Sequence, residues 1–379
     1  MVVTGSRADW GYLSVPVKLM RQNTTFDVAL VVTGQHLDPQ SGNSLEGVER
    51  EGGPIAERVL MTPHTDAAPD IIRAMGEGLA GFGAVIAGLR PHLMLLLGDR
   101  YETLAAASAG LVARIPMAHI AGGDISEGAI DDAIRHAITK LAHLHFPTNA
   151  EAARRIAQMG ENPARIHCVG STGLDRLLQV KIMPRPEFFE AIGRTPRTRN
   201  LLITMHPVTL AGDPLGDAAA LLAALENLDE DIGLIFTGSN ADEGGRQLSA
   251  RVRDFTQRHP NASFHPSLGT DLYVNALAHC EAVIGNSSSG FYEAPSMCIP
   301  TVNIGRRQDG RLRAASVIDT AAEPEAILAA ITKALAIICR STVNPYGDGM
   351  ASQRMISILQ QLDDPAALLN KNFYRGSTP

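Results

Sequence analysis

Cysteine is scarce in this chain: four in 379 residues, at Cys168, Cys280, Cys298 and Cys339, with no CxxC pair among them. So scattered, they read as reduced, mostly buried thiols, which argues against a disulfide framework or a metal–thiolate cluster. HxxxH and HExxH signatures are missing as well, so no metal is expected. Basic charge is not in excess, with 33 Lys and Arg against 40 Asp and Glu and a net charge of −7. That balance excludes a general attraction to nucleic acid or anionic membrane but not a local basic pocket. No apolar run is expected to reach the length of a membrane span. The chain opens on Val2-Val3-Thr4 without a basic and apolar leader pattern, so a cytoplasmic protein is expected. Lack of GxxxxGKS excludes P-loop phosphoryl transfer. Lack of GxGxxG after the first strand argues against a dinucleotide, so no cofactor is expected.

What is present is an alternation of short apolar runs with longer helical patterns. Strands are expected at Val2–Thr4, Phe26–Val32, Leu93–Leu97, Pro116–Ile120, Leu144–Phe146 and Ile166–Val169. Helical patterns such as Tyr101–Arg114, Asp131–Ala142 and Ala150–Met159 lie between them. Lys181–Asn200, with three prolines and four arginines, breaks the rhythm and reads as a connection. The pattern restarts with strands at Leu201–Met205, Ile232–Phe236, Ser263–His265, Ala282–Ile284 and Thr301–Ile304. Near-continuous apolar strands joined by crossover helices predict an α/β protein of two doubly wound domains, residues 1–180 and 181–379. The last helical pattern, Met350–Leu362, fits either domain.

Chemistry concentrates in Gly98–Lys140. Asp99 follows one apolar run, Asp124 follows the next after a paired glycine, and Asp131-Asp132 opens a helix carrying Arg135, His136 and Lys140. Each acid alone has an ordinary use, as a turn former, a helix-start residue or an i,i+4 partner of Arg135 or His136. Together they cluster at strand ends, where α/β proteins build ligand sites. His206 follows the first strand of the second half and is a candidate helper, whereas His119, inside a strand, reads as a core histidine. Asn286-Ser287-Ser288-Ser289-Gly290 precedes a helix expected from Phe291 and is a candidate anion site, with Glu293 in its first turn. Arg307 and Arg311 follow the next strand, and Arg7 the very first, as phosphate ligands. Thr237-Gly238-Ser239 echoes Thr4-Gly5-Ser6 as a glycine turn after a strand.

Thr4–Tyr12 (TGSRADWGY), Gly98–Glu102 (GDRYE), His119–Lys140 (HIAGGDISEGAIDDAIRHAITK), Gly285–Pro295 (GNSSSGFYEAP) and Pro300–Arg311 (PTVNIGRRQDGR) together resemble the hydrolysing UDP-N-acetylglucosamine 2-epimerases of sialic-acid-type sugar biosynthesis. The resemblance implies a glycosyltransferase-B-like fold, two Rossmann-like domains facing across a cleft, with the nucleotide on the C-terminal one. It implies catalytic roles for the acids of its GDR and IDD motifs, here Asp99 and Asp131; Asp124 is expected to share the acid–base work, with His206 as a helper. Relatives often carry Glu where this chain has Asp124. Arg7, Gly238, Asn286, Ser288, Ser289, Gly290, Glu293, Arg307 and Arg311 are then expected to bind the nucleotide sugar, in a homodimer. The expected reaction turns a UDP-N-acetylglucosamine-type substrate into a free N-acetylmannosamine-type sugar and UDP. A non-hydrolysing 2-epimerase and a glycosyltransferase of the same fold are the alternatives.

Overall fold

Each half of the chain builds its own six-stranded, all-parallel sheet. The computed structural model describes residues 1–379 apart from 39–43, 66, 126–129, 209–212, 239–244, 338, 340, 376–379 and the side chain of Arg246. Two compact units result, Met1–Leu178 with Tyr346–Pro379, and Gln179–Pro345.

In the first unit the elements run β1 (Val2–Thr4), α1 (Arg7–Arg21), β2 (Leu30–Thr33), α2 (Ser44–Gly52), β3 (Ile55–Val59), α3 (Ala68–Leu89) and β4 (Met94–Leu97). They continue as α4 (Tyr101–Val112), β5 (Met117–Ile120), α5 (Ile130–Leu141), β6 (Leu144–Phe146), α6 (Ala150–Gln158) and α7 (Thr172–Leu177). The sheet order is β3-β2-β1-β4-β5-β6. Alternate strand residues feed two cores: Val2, Leu30 and Leu95 pack with Trp10 and Leu13 of α1, and Val3, Val31 and Leu96 pack with Phe82 and Ala106. Burial on both faces explains why these strands are apolar throughout.

The second unit holds α8 (Arg185–Ala191), β7 (Arg199–Thr204), α9 (Gly216–Leu225), β8 (Ile232–Thr237), α10 (Gly245–Arg258) and β9 (Ala262–His265). After these come α11 (Gly269–His279), β10 (Ala282–Gly285), α12 (Ser289–Tyr292), β11 (Thr301–Ile304), β12 (Val317–Thr320) and α13 (Pro324–Ala336). Read from β9, its order β9-β8-β7-β10-β11-β12 repeats that of the first sheet. Strand order reverses between β1 and β4 and between β7 and β10, the places where doubly wound sheets bind ligands.

The last helix, α14 (Ala351–Gln360), packs on α1 and α7 of the first unit. Asp175 of α7 accepts the backbone N–H of Ala351 (3.0 Å) and of Ser352 at its start. Lys371 continues the attachment, reaching Glu161 at 2.8 Å and the carbonyls of Lys140 and Ala142. Bonds from His145, Lys140 and Lys371 outweigh the burial of Glu161 and hold its carboxyl down to about 2.

Several expectations are corrected. The second strand starts at Leu30, not Phe26, and Ile166–Val169 makes only one bridge, Ile166 to His145. The edge strands β3 and β12 were not anticipated, unlike β6 and β9, because each is part-solvated and interrupts its apolar residues with charged ones. Of the four cysteines only Cys280 is buried; Cys168 and Cys298 sit exposed on loops. Contrary to the expectation from sequence, α3, at 22 residues, is long and apolar enough by length and composition to cross a membrane. Its Ala74, Gly78, Phe82 and Ile86 instead line one core of the first unit, next to α4.

Candidate active site

The turns after β4 and β5 and the start of α5 deliver the three candidate acids. Gly98 takes a φ of +73° and directs Asp99 off the end of β4. Gly123, at φ +78°, lies against α6 so closely that a Cβ would strike the Ala152 carbonyl, which fixes the turn before Asp124. Residues 126–129, part of the same stretch, lie outside the described residues. Asp131 and Asp132 occupy the first turn of α5.

One buried guanidinium ties these segments together. Arg135 is 5% exposed. Its Nη2 pairs with the Asp99 carboxylate, while Nη1 donates to the Asp124 carbonyl (2.8 Å) and to Asp132 Oδ1 (3.4 Å). The i,i+4 pair expected between Arg135 and Asp131 gives way to this arrangement, since burial turns the guanidinium toward the strand ends. His136 does pair with Asp132, at 3.4 Å. Asp131 has its pKa raised, first by burial and then by the charge of Asp99.

Asp124 is held at its side chain too. Its carboxylate accepts from Thr148 Oγ1 (3.0 and 3.3 Å to the two oxygens) and from Asn149 Nδ2 (3.0 Å). His119 is the buried core histidine expected, yet it braces the site. Its Nε2 lies 2.7 Å from the Gly98 carbonyl and must carry the proton, leaving Nδ1 to accept from Thr139 of α5 at 3.2 Å. Burial pushes its pKa down to about 3, so the ring stays neutral. At the end of β1, Ser6 caps α1 and Asp9 accepts the Gly5 N–H at 3.1 Å, with Arg7 exposed beside them. Arg100 is engaged by buried Glu102 at 3.1 and 3.2 Å.

In the second unit the ends of β7 and β10 are stitched together. The His206 N–H donates to Asn286 Oδ1 (2.7 Å) and Asn286 Nδ2 donates back to the His206 carbonyl (2.8 Å). The Asn286 carbonyl accepts from Arg307 Nη1 (3.2 Å) and from buried Gln308 (2.8 Å). Asn286 therefore shapes the site with its whole amide. His206 has its pKa pushed down to about 4 by burial and then by Arg307, so near neutral pH it is an uncharged partner.

The serine turn differs from expectation in one respect. The helix after it, α12, is only four residues, Ser289–Tyr292, so Glu293 follows the helix end rather than lying in its first turn. Ser289 is hydrogen-bonded by Tyr273 at 2.7 Å, Ser288 heads α12, and Gly290 is a glycine because a Cβ would meet Thr301 of β11. Glu293 Oε2 is buried with no hydrogen-bond partner among the described residues, and burial raises its pKa. Arg311 lies over the Tyr292 ring at 5.3 Å. Gly238 donates to the His265 carbonyl and approaches Pro266 more closely than a side chain allows; the rest of its turn, 239–244, is outside the described residues.

Sequence reasoning missed Thr148, Asn149 and Gln308 and misplaced Arg135. The signal for the first two was their position directly after strand β6, at the same sheet edge as the acids.

Comparison with known proteins identifies the family and the fold. The family model described as UDP-N-acetylglucosamine 2-epimerase matches residues 18–360. A Legionella pneumophila protein named UDP-N,N'-diacetylbacillosamine 2-epimerase (hydrolyzing) is 33% identical over 97% of each chain. A Campylobacter jejuni protein named GDP/UDP-N,N'-diacetylbacillosamine 2-epimerase (hydrolyzing) is 32% identical over 84% of this chain and 83% of its own. The crystal structure of UDP-GlcNAc 2-epimerase from Neisseria meningitidis bound to UDP-GlcNAc superposes with a TM-score of 0.78 at 17% identity, over 94% of this chain and 98% of that one, which shows the fold.

Proposed function

Because the chain belongs to the hydrolysing UDP-N-acetylglucosamine 2-epimerase family, we propose that it converts a UDP-linked 2-acetamido sugar of the N-acetylglucosamine type into the free 2-epimer and UDP. The observation that carries this reading is the Arg135 tie, which gathers Asp99, Asp124 and the start of α5 at the ligand-binding edge of one sheet. The C2 hydrogen of such a sugar is not next to a carbonyl, so enolisation is not available. A carboxylate takes the C2 proton, the C–H electron pair forms the C1=C2 bond, and the C1–O pair departs with the diphosphate. Water then adds to the resulting 2-acetamidoglucal at C1, giving up a proton to a carboxylate, while a carboxylic acid returns a proton to C2 on the other face. Arg7, Arg307, Arg311, Ser288 and Ser289 are assigned to the diphosphate, with Gly238 and Gly290 packing their turns against Pro266 and Thr301. The unpartnered Glu293 oxygen is suited to a ribose hydroxyl.

The test is incubation in D2O with UDP-N-acetylglucosamine, UDP-N,N'-diacetylbacillosamine and the GDP-linked form of the latter. UDP release with a 2-deuterated free epimer from a UDP sugar is the expected result. Return of a UDP-linked epimer would instead identify the non-hydrolysing reaction, and recovery of every nucleotide sugar unaltered and undeuterated would reject both.

A homodimer fits the outer face of α3. Ile72 (67% exposed) and Leu79 (42%) alternate there with Gly76 and Gly83. A two-fold axis between Glu77 and Gly78 sets Ile72 of one copy against Gly83 of the other and Leu79 against Gly76, bulk into gap in both directions, along a helix of about 33 Å. Light scattering should give twice the 40.3 kDa chain mass, falling to one chain in Leu79→Glu. A monomeric wild type would exclude this surface.

A further inference from the structure

Asp124 is set apart from the other two acids by what surrounds its carboxylate. Thr148 and Asn149 stand at the junction of β6 and α6, 4% and 5% exposed, and both present hydrogen-bond donors to it. Their orientation is determined by their other contacts. Asn149 Oδ1 accepts the Ala152 N–H at 2.8 Å as the cap of α6, which leaves Nδ2 facing Asp124. Nδ2 also donates to Thr148 Oγ1 at 3.0 Å, so the hydroxyl proton of Thr148 is left for the carboxylate. Capping α6 needs only Oδ1. The Thr148 hydroxyl and the Asn149 N–H are surplus to that task, and both converge on Asp124.

We propose that Thr148 and Asn149 are positioning residues that hold Asp124 as the ionised acid, making it the group that takes the C2 proton. Donors aimed at a carboxylate favour its charged form, whereas Asp131, desolvated and beside Asp99, is suited to the protonated role. The same pair fixes a side chain one methylene shorter than glutamate, with Arg135 pinning the backbone carbonyl of the same residue. In that step the proton goes to Asp124, the electron pair to C1=C2, and the C1–O pair to the diphosphate. The proposal rests on the epimerase reading and on Asp124 touching substrate.

Thr148→Val removes the hydroxyl without changing the shape of the side chain. It is expected to lower kcat about tenfold at unchanged KM and to move the acid limb of the kcat–pH profile up by about one unit, the worth of one charge-assisted bond. Thr148→Ser should restore both. Asn149→Asp keeps the cap but sets a charge against Asp124, and should raise the limb further while lowering the thermal midpoint. Carbon-13 NMR titration of the Asp124 carboxyl reads the same displacement without turnover. Wild-type kcat and an unmoved carboxyl titration in Thr148→Val would overturn the proposal. If Asp124→Asn retains full turnover, it is the role of Asp124 that falls, whatever its titration shows.

Discussion

Replacing Arg135 with alanine is expected to lower kcat at least a hundredfold while leaving UDP affinity near that of the wild type. The guanidinium is the shared anchor of Asp99, Asp132 and the Asp124 carbonyl, so its loss frees three segments whose alignment the chemistry needs. Removing one member of a fully buried pair costs about 3–5 kcal/mol, because the remaining charge has no compensation. Here the carboxylates of Asp99 and Asp132 are 29% and 31% exposed and can rehydrate, so the stability loss is nearer 1–3 kcal/mol. Arg135→Lys should recover little, since one ammonium cannot span acceptors on separate segments. UDP release measures kcat and calorimetry measures UDP binding. A variant within threefold of wild-type kcat would show the tie to be dispensable.

Asp131→Asn carries the second large effect. Loss of a general acid lowers turnover by about 10²–10⁴, again with UDP binding retained; weakened UDP binding would make Asp131 a structural residue. The pH profile gives an independent reading. Burial first, and then the charge of Asp99, raise the pKa of Asp131, and an acid that works protonated loses activity as pH rises through that value. The alkaline limb is therefore expected to belong to Asp131 and to be displaced upward from the ordinary aspartate value. Neutralising Asp99 as Asp99→Asn removes one cause, so whatever activity remains should show its limb displaced to lower pH. A limb that stays in place, or moves up, would assign it to another group.

The interior strands and the helices of the sheets were legible because burial on both faces demands uninterrupted apolar residues, as in Met94-Leu95-Leu96-Leu97. The edge strand β3 escaped because Ile55-Ala56-Glu57-Arg58-Val59 answers to solvent on its open side. The candidate acids were readable from their place after strands, and so was Arg307. Their partners were not. Arg135 lies one helical turn from Asp131 yet reaches Asp99, 36 residues away in sequence, and Thr148 and Asn149 meet Asp124 from 24 and 25 residues away. Such pairings depend on strand order, and β4, β5 and β6 had to be laid side by side before they could be seen. Local spacing supplied the acids, and sheet order supplied what holds them.

The return of residues from Tyr346 onward to the first unit bears on how the polypeptide is made. The second unit, Gln179–Pro345, is a contiguous insertion between the two parts of the first. During synthesis it leaves the ribosome whole, while the first unit still waits for α14 to cover α1 and α7 and for Lys371 to reach Glu161. The second unit is therefore complete before the first can close. The stretch that emerges after it seals the end of α5, the helix that bears Asp131 and Arg135.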